Sequence, residues 1–284
     1  MKPRLWVLLV IAWLVGACAA QGSAGNGSAM PASAAAPWVA PSTAPSAVRV
    51  ELTIYAAASL KGALEAVTSA YEAVVPDVRL VTATDASSTL RTQIEQGAPV
   101  DLFLSADQAN PTALVDAGLT DGVAVDFARN SLTVIVPTAN PAGIASPADL
   151  ARPGVKVVAA GADVPITGYA TQAVARLARL AGYPTAFAAG YAANVVSRED
   201  NVKAVVAKIE LGEADAAIVY TTDGTASSKT RMVDIPAEAN VAATYAGIVV
   251  KASPHPSEAR AFLAWLAGRA GQSMLATFGF EPLT

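Results

Sequence analysis

From residue 48 to the C-terminus, short apolar runs alternate with helical patterns, and this alternation constrains the fold more than any other feature. Residues 50–55 form a near-continuous apolar strand. Residues 59–75 then carry Leu60, Leu64, Val67, Tyr71 and Val74 at helical spacing and stop before Pro76. A second strand is expected at 78–83, a helix at 87–96 closed by Gly97 and Pro99, a short strand at 101–105 and a helix at 111–117 closed by Gly118. Strands alternating with helices imply a mainly parallel sheet covered on both faces. Ligands in such sheets collect at the carboxyl ends of the strands, where Ser59 and the turn at 84–88 fall.

A second run begins with a strand at 131–137. It continues with strands at 155–160, 194–197 and 215–220, helices at 167–181 and 201–211, and a further strand at 244–250. Two closing helices, 257–267 and 271–278, cannot form a domain alone and are expected to pack back on the first part. The expected architecture is α/β, with two lobes (48–129 plus 245–284, and 130–244) joined by two crossings near 129–131 and 243–246.

The first 47 residues differ in kind. Lys2 and Arg4 precede an apolar run at 5–15, and Val15-Gly16-Ala17-Cys18 follows. This reads as a secretory signal over residues 1–17, too short to span a bilayer as a mature helix. Its last four residues resemble a bacterial lipobox, in which Cys18 is lipidated and becomes the first mature residue. Residues 19–47 are rich in Ala, Ser, Gly and Pro and carry no charge. At about 5–6 Å × √n this tether reaches about 30 Å, enough to hold a folded body just off a membrane.

Composition narrows the function classes. The formal charge is −4; of 19 basic side chains, loss of Lys2 and Arg4 leaves 17 against 23 acidic ones, so no basic face for nucleic acid is implied. Cys18 is the single cysteine and His255, between two prolines, the single histidine, which removes disulfides, cysteine–histidine metal sets and most histidine-based triads. No Gly-x-Ser-x-Gly elbow surrounds Ser59. An extracytoplasmic hydrolase is therefore disfavoured, and a non-enzyme without cofactor is expected.

The stretch Ala56-Ala57-Ala58-Ser59-Leu60 joins the first strand to the first helix. Three small residues permit close approach to the backbone, and a helix start presents unpaired N–H groups and the positive end of the helix dipole to an anion. Taken alone, Ser59 reads as an ordinary N-cap.

Together with other stretches, this one resembles the substrate-binding proteins of molybdate ABC transporters. The matching residues are Ser87-Ser88-Thr89-Leu90, the run from Gln93 to Asp107 that includes Gly97-Ala98-Pro99-Val100-Asp101, and then Asn130-Ser131-Leu132, Val164-Pro165, Glu199-Asp200-Asn201-Val202 and Ile218-Val219-Tyr220. The resemblance spans residues 48–284. It implies a type II periplasmic-binding-protein fold closing on a tetrahedral oxyanion, molybdate or tungstate, with an ABC permease as partner and an extracytoplasmic, membrane-anchored location. The implied ligands are the hydroxyls and amides of Ser59 and Ser87, the amide of Ile166 with Thr167 beside it, the amide of Val202 and the hydroxyl of Tyr220. Ser88 is a rival to Ser87. Sulfate or another small anion is the alternative ligand, and a monomer is expected.

The residues themselves agree with that implication. Ser59, Ser87, Ile166 and Val202 all fall at expected helix starts, so several dipoles can hold a dianion without Lys or Arg. A donor-only site suits a fully deprotonated oxyanion; hydrogen phosphate brings a proton that needs an acceptor. Asp85, which would repel an anion, is expected to face solvent or to cap. Thr167 stands where many relatives carry glycine. Tyr169 is read as packing, and Lys61, Arg91, Arg198 and Lys203 as solvated helix faces outside the site.

Overall fold

The first strand, β1 (Val50–Ala57), is an interior strand of its sheet, with Leu52, Ile54 and Ala56 wholly buried. The computed structural model describes residues 49–283; the signal segment, Cys18 and the tether lie outside the described residues. A single turn of 3₁₀ helix, Ala58–Leu60, leads from β1 into α1 (Lys61–Val74). Ala63, Leu64, Val67 and Tyr71 form the buried stripe of α1, while Val74 in its last turn is exposed. The chain then forms β2 (Val78–Asp85), α2 (Ser87–Glu95), β3 (Leu102–Ser105), α3 (Ala109–Asp116) and β4 (Val125–Asn130).

The second run contains β5 (Leu132–Pro137), β6 (Val157–Ala160), α4 (Pro165–Leu177), α5 (Phe187–Asn194), β7 (Val195–Glu199), α6 (Val202–Glu210), β8 (Ala217–Tyr220), α7 (Thr221–Ala226) and β9 (Thr230–Asp234). The chain closes with β10 (Ala243–Val249), α8 (Pro256–Ala267) and α9 (Arg269–Ala276).

The strands sort into two lobes. One is a five-stranded sheet in the order β2-β1-β3-β10-β4. The other contains the sheet β8-β5-β9 and the pair β6-β7, tied together by a parallel bridge between Val157 and Ala216. The chain crosses between lobes after Asn130 and returns before Ala243, and these two residues pair with each other.

The expected mainly parallel sheet is corrected by this pairing. β1 runs parallel to β2 and β3, and β6 to β7, but β10 is antiparallel to β3 and β4, and β5 to β8 and β9. The cause is the double crossing: β4 departs for the second lobe and β10 returns from it, so the two lie side by side in opposite directions. The closing helices pack on the first sheet. Tyr71 of α1 meets Phe262 and Trp265 of α8 edge-on at 5.0 and 5.2 Å. The α8–α9 corner requires Gly271, where a Cβ would come within 2.2 Å of the Leu266 carbonyl oxygen.

Candidate functional site

Four helix beginnings point into one small cavity between the lobes. From the first lobe come the 3₁₀ turn after β1 and the start of α2; from the second come the starts of α4 and α6. The local sequence explains each. Ala57 and Ala86 are buried in extended conformation immediately before their helices, so Ser59 and Ser87 begin structure on small neighbours. Pro165 occupies the first position of α4, where its missing N–H costs nothing and its fixed φ suits the helix. Asn201 caps α6 by accepting from the Ala204 amide at 3.1 Å. Ser87 and Val202 open α2 and α6, and Ile166 is the second residue of α4, so their N–H groups have no intrahelical acceptor.

The cavity is small, with about 210 Å³ of atom-free space including its opening to solvent. Ser59, Ser87, Ile166, Val202 and Tyr220 all line it, together with Ala57, Ala58, Asp85, Ala86, Ala106, Val164, Pro165 and Asn201. Among the described residues, no Lys, Arg or His is on its wall. The three hydroxyl-bearing residues are buried, Ser59 at 5% exposure and Ser87 and Tyr220 at 1% each.

Their hydrogen bonding is lopsided. Ser87 Oγ accepts from the Ala106 amide at 3.1 Å, which leaves its own proton to donate. Ser59 Oγ lies 2.8 Å from Tyr245 Oη. Tyr220 Oη, fully buried, has no hydrogen-bond partner among the described residues. Burial, reinforced by the nearby Tyr245, Tyr169 and acidic groups, pushes the Tyr220 phenol well above its usual range, so it stays a donor. A buried hydroxyl left without a partner carries a penalty of about 1–3 kcal/mol, which a ligand oxygen would relieve.

The two less firmly placed residues are not brought into this cavity. Ser88 faces an outer groove with Asp163 and Arg198. The Thr167 hydroxyl donates to the Ala160 carbonyl at 3.0 Å and lines a separate cleft with Tyr191. Asp85 lies on the cavity wall and not in solvent alone; its Oδ1 accepts from the Ala86 amide just before α2 at 2.8 Å and from Asn201 Nδ2 at 3.0 Å. Tyr169 packs edge-on against Tyr220 at 6.3 Å. Lys203, next to Val202, is drawn away to the buried Asp223 at 2.7 Å, while Arg91 pairs with Glu95 and Arg198 donates to Ala160. Sequence reasoning missed Tyr245 and gave no role to Asn130, although the latter lies in one of the matched stretches.

This geometry has relatives. The family described as bacterial extracellular solute-binding protein matches residues 52–281. The molybdate-binding protein ModA of Mycobacterium tuberculosis is 36% identical over 230 residues, covering 81% of this chain and 84% of its own. The substrate-binding domain of a putative molybdenum ABC transporter from Clostridium difficile shares the fold with a TM-score of 0.62 at 30% identity, over 83% of this chain and all of that one. The sulfate-binding protein SubI of M. tuberculosis shares the fold alone, with a TM-score of 0.73 at 22% identity over 83% of this chain and 88% of its own. Fold, family match and sequence likeness agree: the chain belongs to the bacterial extracellular solute-binding proteins, in the family of the ModA molybdate-binding proteins.

Proposed function

We propose that this protein captures molybdate or tungstate between its two lobes and delivers it to an ABC permease. The observation that carries this reading is the hydroxyl of Tyr220, without a partner among the described residues and buried in a cavity that also holds two serine hydroxyls, helix-start amides, and the Asn201 amide bonded to the Asp85 carboxylate. Such a wall offers protons and dipoles to an anion and places no basic side chain against it. Ser59, Ser87 and Tyr220 would donate through their hydroxyls, and Ile166 and Val202 through their amides. Charge-assisted hydrogen bonds net about 1.5–3 kcal/mol each, so five suffice for micromolar or tighter binding, about −8 kcal/mol, after association costs.

The chain acts in this reading as a monomeric binding protein outside the cytoplasm, tethered through lipid on Cys18, and not as a hydrolase. His255, the one histidine, is at the start of α8 and is not among the residues lining the cavity. Calorimetric titration with molybdate, tungstate, sulfate and phosphate tests the ligand. Binding of the first two in preference to phosphate is expected; failure to bind either would refute the reading. Cys18→Ser should release the protein from membranes without changing its affinity.

A further inference from the structure

We propose that Tyr245, directed by Asn130, fixes the Ser59 proton toward the ligand and thereby sets the preference for anions that carry no proton. The proposal rests on the oxyanion reading above and adds two positioning residues to it.

Ser59 Oγ and Tyr245 Oη are buried and 2.8 Å apart, and one of the two protons must lie between them. The two possible polarities have opposite consequences. If Ser59 donates to Tyr245, the serine turns lone pairs toward the cavity. If Tyr245 donates to Ser59, the serine proton is left for the ligand. Asn130 favours the second: its Nδ2 donates to Thr222 Oγ1 at 2.9 Å and, more weakly, to Tyr245 Oη at 3.4 Å, while its Oδ1 has no partner among the described residues. A phenol that accepts this N–H is polarised to donate its own proton onward. The relay runs from Asn130 to Tyr245 to Ser59 to the cavity. A bound dianion favours the same polarity, because the reverse would aim serine lone pairs at it.

The ring of Tyr245 has little freedom to do otherwise. Phe280, Tyr220 and Phe127 meet it edge-on at 5.4, 5.7 and 6.1 Å. The β10–β4 register slips beside Tyr245, which pairs with Ala128 while Ala246 pairs with Asp126, so the extra residue lies on β4. Asn130 ends β4 and Tyr245 lies in β10, so both belong to the strands that carry the chain between lobes. The cavity wall then presents protons from Ser59, Ser87 and Tyr220. Its one carboxylate, Asp85, already has Oδ1 occupied by the Ala86 amide and Asn201.

The test is a double-mutant cycle on the full protein, titrated with molybdate and with inorganic phosphate, with the melting temperature of each apo form. Tyr245→Phe keeps the ring and removes the relay. It should weaken molybdate binding about tenfold, in the range of coupled neighbours. It should also narrow the molybdate-over-phosphate preference, because a released Ser59 can accept the phosphate proton. In the Ser59→Ala background the same substitution should change molybdate affinity less than about twofold. Asn130→Ala should reproduce the loss and serves if the tyrosine variant melts early. Equal losses in both backgrounds, or unchanged affinity in the single variants, would overturn the relay while leaving the oxyanion reading intact. A wild-type protein that binds no oxyanion would overturn both.

Discussion

Asp85 Oδ1 and Asn201 Nδ2 meet at 3.0 Å across the cleft, joining the end of β2 in one lobe to the cap of α6 in the other. The contact ties the lobes together at the cavity itself. Closure of a binding protein on its ligand requires interactions that favour the closed arrangement, and a bond between residues of opposite lobes holds them together. Asn201→Ala removes this bond and the α6 cap together. It should lower stability by about 1 kcal/mol and speed ligand release several-fold. Stopped-flow release of molybdate checks this, and an unchanged rate would show that the contact does not hold the cleft shut.

Tyr220→Phe should have effects of opposite sign on stability and binding. The apo protein loses a buried hydroxyl that has no partner, so its melting temperature should hold or rise. Ligand binding loses a donor and should weaken about tenfold, or about 1.4 kcal/mol. Calorimetry alongside thermal melts separates the two.

Ser87 and Ser88 are adjacent in sequence but face different spaces. Ser87→Ala should weaken molybdate binding about tenfold and also destabilise the fold, because the Ala106 amide loses its acceptor. Ser88→Ala should leave affinity within about twofold, since this residue lines the outer groove. Parallel titrations of the two variants decide the matter.

Alkaline pH should destabilise the protein in a way that tracks its buried tyrosines. Burial pushes Tyr169 and Tyr191 up to about 12 and Tyr220 and Tyr245 well above their usual range. The native state therefore keeps protons that the unfolded chain gives up near pH 10. Stability is fully present below that pH and falls as pH rises beyond it, by about 1.4 kcal/mol per pH unit for each phenol still protonated in the native state. Melting curves between pH 8 and 12 should show the decline, and phenolate absorbance should rise with unfolding. A flat profile above pH 10 would contradict it.

Much of this fold is legible in local sequence. Regular apolar spacing reveals β1, α1, β5 and α6, and the small residues before Ser59 and Ser87 mark two of the helix starts at the cavity. The elements that escape such reading bury few side chains at regular spacing. β9 is an edge strand with no buried residue, α5 buries only Phe187 and Asn194 in an alanine-rich run, and α7 has six residues. β4 is paired by the returning β10, a partner far along the chain. The same distance hides Tyr245: its bond to Ser59 spans 186 positions, and no spacing rule reaches that far. Asp85 accepts from the Ala86 N–H just before α2, as a capping residue would, but charge repulsion gives no sign that the Asn201 amide also holds its Oδ1 on the cavity wall.

The central claim is that one oxyanion sits among Ser59, Ser87, Ile166, Val202 and Tyr220. Anomalous diffraction at the molybdenum edge, from crystals of the protein grown with molybdate, locates the metal without reference to any assumed ligand. A single peak in this cavity is predicted, with oxygens within hydrogen-bonding distance of the Tyr220 hydroxyl and both serine hydroxyls. A peak elsewhere, or an empty cavity at saturating molybdate, would contradict the account.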